Sequence, residues 1–468
     1  MAESKNNNQT VEYISELVQR ARRAQAEIEF ATQEEIDLMC TRVAWSGVRP
    51  DFAESYADFC AKETGMGYGP HKYAKLMTKV KGTLRDMKGE KSVGIVEHDK
   101  EKGIMKIAKP VGVIGALMPV TNGEATPFVK ALAALKTRNA IIMAPHPKAQ
   151  QTNNMAAAQI RSVLKKHGWP EDLVIGVESI SLEKSQELIK QVDLILATGG
   201  GAMVKAAYSS GKPAYGVGAG NAMSIVDDTA NLKETADKIM RSKTFDHATS
   251  CSTENALAIQ DSIYDKMIEE LESAGGYLCS AEEKEKLQRA TWDEKGMLNR
   301  AIVAQPASKI AAIAGINLLN DKSFFMVEET GIGKGFPFSG EKLSVTATVY
   351  RWSDFTEAVD LVNRISSYSG PGHSCGIHSA NDMHIRLLGL NARVSRIMVN
   401  QPQCLGNSGA WTNGMPMTMT LGCGTWGGNS SSSNVTWKEL LNYTWLSYPI
   451  ASTQPNDEEL FGNIMYED

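Results

Sequence analysis

In the stretch "FDHATSCSTEN", residues 245–255, a single cysteine, Cys251, stands among Thr249, Ser250, Ser252 and Thr253. A thiol does covalent chemistry as the thiolate, which attacks carbonyl carbon well. An isolated cysteine is equally a small core residue, so Cys251 by itself reads either as a nucleophile or as buried filler. Its hydroxylated neighbours are unusual company for a core position. They point to the wall of a polar cavity.

Two further stretches carry groups that such a nucleophile could use. In "ATGGGAMVKAAYSSGKPAYGVGAGN" (197–221) the glycines Gly199, Gly200 and Gly201 follow the apolar run "VDLIL" and precede a helix-like segment. Glycines there let a phosphate approach the free N–H groups of a helix N-terminus. The spacing does not fit G-x-G-x-x-G, and a tight turn explains the cluster equally well. In "ALMPVTNGEATPFVKALAALKTRNAIIMAPHPKAQ" (116–150) the segment "TNGEA" reads as a loop between a strand and a helix. Thr126 is the expected N-cap of that helix, with Pro127 in its first turn. Asn122 in the loop reads as an amide donor for an oxyanion or as an ordinary turn residue. Glu124 reads as a base near the site or as the N3 residue of a capping box with Thr121. The expected reading is a loop carboxylate facing solvent, as charged side chains mostly are. The run "HSCGIH" brings His373, Cys375 and His378 together. It lacks a fourth ligand, and no metal site is expected from it.

The elements that must hold these residues follow from periodicity. Residues 10–90 read as helices, with Val11, Ile14, Leu17 and Val18 near a 3.6-residue repeat. Two strand-like runs around a charged turn make 93–110 a hairpin. From residue 111 the short runs "VGVIGAL", "AIIMAP", "DLVIGV" and "DLILAT" alternate with helical segments, which predicts βαβ units and a doubly wound parallel sheet of the Rossmann type. Beyond 228 the alternation restarts with "ALAI", "VTATVY", "SCGIH" and "RIMVN". The β-prone tail "LLNYTWLSYPI" lies outside the pattern. The expected fold is α/β, with a cofactor domain at 1–92 and 111–227 and a catalytic domain at 228–430. A small element from 93–110 and 431–468 completes it.

Bulk properties narrow the function. The 468 residues are too many for one compact core, and a composition of 42% hydrophobic and 22% charged residues is that of an ordinary globular chain. A net charge of −5 without a basic stripe argues against nucleic acid as a partner. The polar start "MAESKNNNQT" does not read as a secretory signal, and no apolar run approaches a membrane span. Seven cysteines, an odd number without a CxxC pair, suit a reducing, cytoplasmic setting.

Together, "PVGVIGALMPVTN", "ALKTRNAIIMAPHPKA", "DLILATGGGAMVKAAYSSGKPAYGVGAGN", "SKTFDHATSCSTEN", "GEKLS" and "LGCGTWGGNSSSSNV" resemble the CoA-acylating branch of the aldehyde dehydrogenase superfamily. The likeness runs in order from about residue 10 to the C-terminus. It implies that Cys251 attacks an aldehyde to give a thiohemiacetal and, after hydride loss to a nicotinamide, a thioester. The amide of Asn122 and the backbone N–H of Cys251 would hold the oxyanion. Glu341 would hold the nicotinamide ribose, His146 and Pro147 would lie by the adenosine ribose, and Gly199 and Gly200 by the pyrophosphate. Thr121, Lys148, Thr198, Met203 and Gly218 complete the implied cofactor site. NAD and NADP both stay open, since the slot that carries an acid in hydrolytic relatives is Ala149, beside Lys148.

The hydrolytic relatives also carry a glutamate where this chain has Val217 or, one residue on, Gly218. Without that base water attacks the thioester slowly, so coenzyme A is the implied acceptor. "TLRDMKGEKSVGIVE", "FDHATSCSTEN" and "NVTWKELLNYTWLSYPI" are most similar to the sulfoacetaldehyde-oxidising members of the branch. Thr249, Ser250 and Ser252 would then bind the substrate, with His247 the nearest cation. The resemblance further implies a homodimer or homotetramer joined through the hairpin and the C-terminal strand.

Overall fold

The computed structural model describes residues 2–467. Four helices come first, α1 (Ala2–Glu27), α2 (Gln33–Val48), α3 (Pro50–Thr64) and α4 (Gly69–Met87). Their inward stripes follow the expected period, except that Val11 is exposed. Ile14, Leu17, Val18 and Ala21 of α1 are buried, and so are Ile36, Met39, Cys40 and Val43 of α2. The buried stripe of α4 is different in kind: Lys72, Lys75 and Lys79 share it with Leu76, Val80 and Thr83.

The first large sheet has five parallel strands in the order β5 (Val174–Gly176), β4 (Ala140–Ala144), β3 (Val113–Leu117), β6 (Leu194–Thr198) and β7 (Ala214–Val217). Strands β3 and β4 are buried along their whole length, as continuous apolar runs in covered parallel sheets are. Strand order reverses at β3, the doubly wound arrangement that opens a crevice at the carboxyl ends of the strands.

The second sheet has seven parallel strands, in the order β10 (Gly276–Leu278), β11 (Phe324–Glu328), β12 (Thr346–Trp352), β9 (Ala256–Gln260), β8 (Met223–Val226), β13 (Cys375–His378) and β14 (Ile397–Val399). Period-2 alternation splits its core between two faces. Val226, Leu257 and Ile259 pack on one, and Met223, Ile225, Ala256 and Ala258 on the other. Because β8 belongs here, the chain leaves the first sheet between Val217 and Met223. The expected boundary at 227/228 is therefore several residues late: "MSIV" reads as one more buried strand and gives no sign of which sheet it joins.

The hairpin is β1 (Gly94–Asp99) and β2 (Ile104–Pro110), antiparallel, and β2 pairs on its other side with β15 (Leu441–Ser447). Helix α5 (Thr126–Lys136) starts one residue earlier than expected. Ala125 holds the cap position and Pro127 still lies in the first turn. Thr126 cannot cap because its hydroxyl bonds back to the carbonyl of Asn122 at 2.7 Å. Among the described residues no helix is long and apolar enough to cross a membrane.

Candidate active site

The site lies where the two large sheets face each other. The loops leaving β3, β6 and β7 at their carboxyl ends carry Thr121 and Asn122, Gly199 and Gly200, and Gly218. From the other side come the segments that enter β9 and β13. These strands flank β8 and run parallel to it, so the loop ending at Asn255 and the loop ending at Ser374 emerge at one end of the sheet. The first bears Cys251 and the second His373. Between the two sets of loops is a cavity of about 490 Å3.

Cys251 Sγ is 3.1 Å from Nε2 of His373, and His373 Nδ1 is 2.8 Å from the Ser374 hydroxyl. With Nε2 accepting from the thiol, Nδ1 holds the ring proton and donates to Ser374. Burial, with the nearby Arg396 guanidinium, pushes His373 down to about 3. Burial, with Glu341 adding to it, pushes the Cys251 thiol up to about 12. The resting pair is a thiol and a neutral imidazole. The sequence placed His373 only in a metal context. Its partnership with a cysteine 122 residues away becomes visible through the adjacency of β9, β8 and β13.

Asn122 Oδ1 accepts from Lys75 Nζ at 2.7 Å, which fixes the side-chain amide with its NH2 group on the opposite side. Lys75 in turn belongs to a buried group of four charges. Its ammonium meets Asp246 at 2.6 Å and Glu124 at 3.2 Å, while Lys72 meets the same carboxylates at 3.2 and 3.5 Å. Burial raises the Asp246 carboxyl, but Lys75 and Lys72 outweigh it and leave it at about 2. Glu124 is 0% exposed, so its expected position at the surface is wrong. The two lysines on the inner face of α4 supply the counter-charge that a lone carboxylate would lack.

Asp246 also accepts from the Tyr68 backbone N–H (2.8 Å) and the Thr249 hydroxyl (2.7 Å). These bonds hold an unusual backbone, because Asp246, His247 and Ala248 all have left-handed φ values of 50°, 50° and 62°. Each costs on the order of 1–2 kcal/mol in a non-glycine residue. The turn brings Thr249 and Ser250 to the cavity beside Cys251.

Of the residues expected to bind cofactor, Thr121, His146, Thr198, Gly199, Gly200, Met203, Gly218 and Glu341 all line the cavity. Pro147 and Lys148 do not, because they turn outward and are exposed. At Gly200 and Gly201 an added Cβ would meet nothing within 4 Å, so packing inside the chain does not require glycine there. The space lies before the N-terminus of helix Gly201–Tyr208 and fits a pyrophosphate. Glu341, pushed up to about 7 by burial, accepts from the Gly220 N–H at 3.0 Å.

The substrate-binding expectation is corrected in two places. Ser252 is 0% exposed and does not line the cavity; its hydroxyl lies 2.9 Å from that of Ser250, within a tight turn closed by Thr253 N–H and the Ser250 carbonyl. His247 is likewise outside the lining. The cations that reach the cavity are Lys75 and Lys79, both from α4. The signal that could have found them is three lysines at i, i+3 and i+7 in register with Leu76 and Val80. The other residues of "HSCGIH" go into the core: Cys375 is buried in the sheet, and both ring nitrogens of His378 lack a partner. Among the described residues no group of three or more His, Cys, Asp or Glu is arranged to hold a metal.

A doubly wound sheet whose loops share one cavity with a partly buried, imidazole-bonded cysteine defines a nucleotide-binding oxidoreductase that works through a thiol. Comparison with known proteins gives the family: the chain belongs to the aldehyde dehydrogenase family, which it matches over residues 6–279. It is similar to a sulfoacetaldehyde dehydrogenase of an Acholeplasma species, with 46% identity covering 97% of this chain and 94% of the relative. A sulfoacetaldehyde dehydrogenase (acylating) of Cupriavidus necator is 41% identical over 97% of this chain and 92% of the relative. Among solved structures, an acetylating aldehyde dehydrogenase from Geobacillus thermoglucosidasius superposes with a TM-score of 0.92. It is 35% identical, and the match covers 96% of this chain and 99% of the other.

Proposed function

We propose that the protein oxidises sulfoacetaldehyde to sulfoacetyl-CoA, with NAD or NADP as hydride acceptor and coenzyme A as acyl acceptor. The observation that carries this reading is the setting of Cys251. Its thiol faces a neutral imidazole, and Val217, with Leu421 and Cys423, packs against it where a water-activating carboxylate would have to stand. The sulfonate half of the reading is supported by the relatives' substrate and by Lys79, which lines the cavity without a carboxylate partner among the described residues.

The chemistry follows from the residues in place. As Sγ bonds to the carbonyl carbon, the thiol proton passes to His373 Nε2. Negative charge moves to the carbonyl oxygen, where Asn122 Nδ2 and the Cys251 N–H donate to it. Proton transfer before bond formation would charge both members of a buried pair, so the two events go together. The glycine loop and Glu341 would hold a nicotinamide dinucleotide, which would supply the hydride acceptor needed to turn the Cys251 thiohemiacetal into a thioester. His373 releases its proton to solvent. The thiol of coenzyme A then attacks that thioester, its proton passes to His373 Nε2, and His373 returns it to Cys251, which leaves as the thiol. The overall balance is aldehyde, coenzyme A and oxidised dinucleotide to acyl-CoA, reduced dinucleotide and a proton.

A hydrolytic reading has one observation in its favour, the buried carboxyl of Glu341, whose charge is felt at Cys251. The test is formation of reduced nicotinamide from purified protein and sulfoacetaldehyde, with and without coenzyme A and with acetaldehyde in parallel. CoA-dependent turnover that favours the sulfonate is expected. Equal turnover without coenzyme A would assign Glu341 as a base for water.

The sheet of β1, β2 and β15 leaves Trp445, Leu446 and Tyr448 exposed along an edge. An uncovered apolar edge favours pairing with a second copy, which supports a homodimer or homotetramer. All seven cysteines are free thiols, which suits a reducing cytoplasm.

A further inference from the structure

Lys79 stands apart from the other ionised groups of the cavity. Its Nζ donates to the carbonyls of Ser408 at 2.9 Å and Gly409 at 2.7 Å and lies 3.9 Å from Met417 Sδ. The side chain is 6% exposed, and among the described residues no carboxylate lies within 4.0 Å of its nitrogen. An ammonium has three N–H donors; two go to carbonyls and the third to the thioether sulfur of Met417, a weak acceptor that an anion would displace. Lys130, Lys243 and Lys342 are also buried on carbonyls, but none of them lines the cavity. Lys79 does, one helical turn beyond Lys75, which touches both Asn122 and Thr249. Burial, with the nearby Lys75 charge adding to it and Cys404 and Asp86 opposing it, pushes it down to about 7, a cost that an arriving anion would offset.

We propose that Lys79 is the specificity-determining residue of the site, its ammonium receiving the anionic group of a short aldehyde whose carbonyl lies between Cys251 and Asn122. The inference rests on the sulfonate reading above and deepens it. Four residues along a helix advance about 6 Å. An aldehyde carrying its charge two bonds from the carbonyl carbon, with its tail directed toward Ser408, brings that charge against Lys79. Lys75 cannot take this part, because Asp246 and Glu124 already neutralise it. The phosphates of coenzyme A are the other anions that could reach Lys79.

The experiment compares wild type with Lys79→Met and with Lys79→Gln, which keeps a donor for the carbonyls if the first variant folds poorly. The ratio of kcat/KM for sulfoacetaldehyde to that for acetaldehyde should fall at least tenfold, carried by KM, and Lys79→Arg should restore part of it. KM for coenzyme A should stay within twofold; a rise there with an unchanged aldehyde ratio would overturn the proposal in favour of a CoA phosphate. A parallel fall for both aldehydes would overturn it in favour of a structural role. The second measurement does not depend on the natural substrate. Ethanesulfonate should inhibit acetaldehyde oxidation competitively in wild type, and at least tenfold more weakly in Lys79→Gln. Equal inhibition overturns Lys79 as an anion site even if sulfoacetaldehyde is turned over. Unequal inhibition upholds it even if sulfoacetaldehyde is not.

Discussion

The floor of the cavity and the wall that carries the nucleophile treat charge in opposite ways. Under Asn122 four ionised groups, Lys72, Lys75, Glu124 and Asp246, compensate one another. At the wall, burial pushes Cys251 to about 12, His373 to about 3 and Glu341 to about 7. The thiol and imidazole are neutral at pH 7, and the carboxyl is about half ionised there. What decides between the two outcomes is whether a counter-charge is built in. Permanent charge in the floor fixes geometry, since its ions hold an amide and a left-handed turn in place. Charge withheld in the wall is available to appear during the reaction.

The largest effect belongs to the wall. Cys251→Ala should lower CoA-dependent turnover by at least about 10^4-fold, measured as reduced nicotinamide, while leaving the melting temperature close to wild type. Breaking the floor should do the reverse. Asp246→Asn leaves Lys72 and Lys75 short of a counter-charge and should cost about 3–5 kcal/mol in urea unfolding. Residual activity on sulfoacetaldehyde and acetaldehyde should fall together.

Acid sharpens the contrast, because neighbours in the wall carry opposite signs. The folded-state pKa of His373 is depressed, so the unfolded chain binds its proton first and stability is lost as pH falls below 6.5. The folded-state pKa of Glu341 is raised, so stability is gained as pH falls from 7 toward 4.5. Between pH 7 and pH 5, His373→Gln should lose about 2 kcal/mol less than wild type, and Glu341→Gln about 2 kcal/mol more. Asp246, at about 2, contributes nothing across that window.

A smaller effect is expected of Lys75→Met, which frees the Asn122 amide to rotate. It should lower kcat roughly tenfold, short of the full loss of an oxyanion donor, for both aldehydes alike. An unequal fall would erase the distinction drawn between Lys75 and Lys79. Ser252→Ala, beneath the cysteine loop, should change the preference between aldehydes by less than about twofold.

Much of the scaffold was legible because its patterns are local. The stripe of α1, the hairpin at 93–110 and each strand or helix of the alternation after residue 111 are read from neighbours in sequence. Cys251, Asn122 and the glycine loop were singled out by residue type and context, and the family resemblance joined them. The residues that were missed depend on long-range pairing. His373 reaches Cys251 only because β13 and β9 flank β8. Glu124 was expected at the surface because exposure is the default for a carboxylate, and its partners are 52 and 49 residues back on α4. Ser252 was grouped with Thr249 and Ser250 by adjacency, whereas the turn directs it away from the cavity that Thr249, Ser250 and Cys251 line.

The link between the two sheets passes directly over the nucleophile. A Cβ on Gly220 would lie 2.1 Å from the Cys251 carbonyl oxygen, and the next residue, Asn221, is tied to Ser339, Ile365 and Asn255. The thiol therefore acquires its surroundings only when both layers and their connection have come together. During refolding, the accessibility of Cys251 to a small alkylating reagent would time the docking of the two halves, separately from the formation of either one.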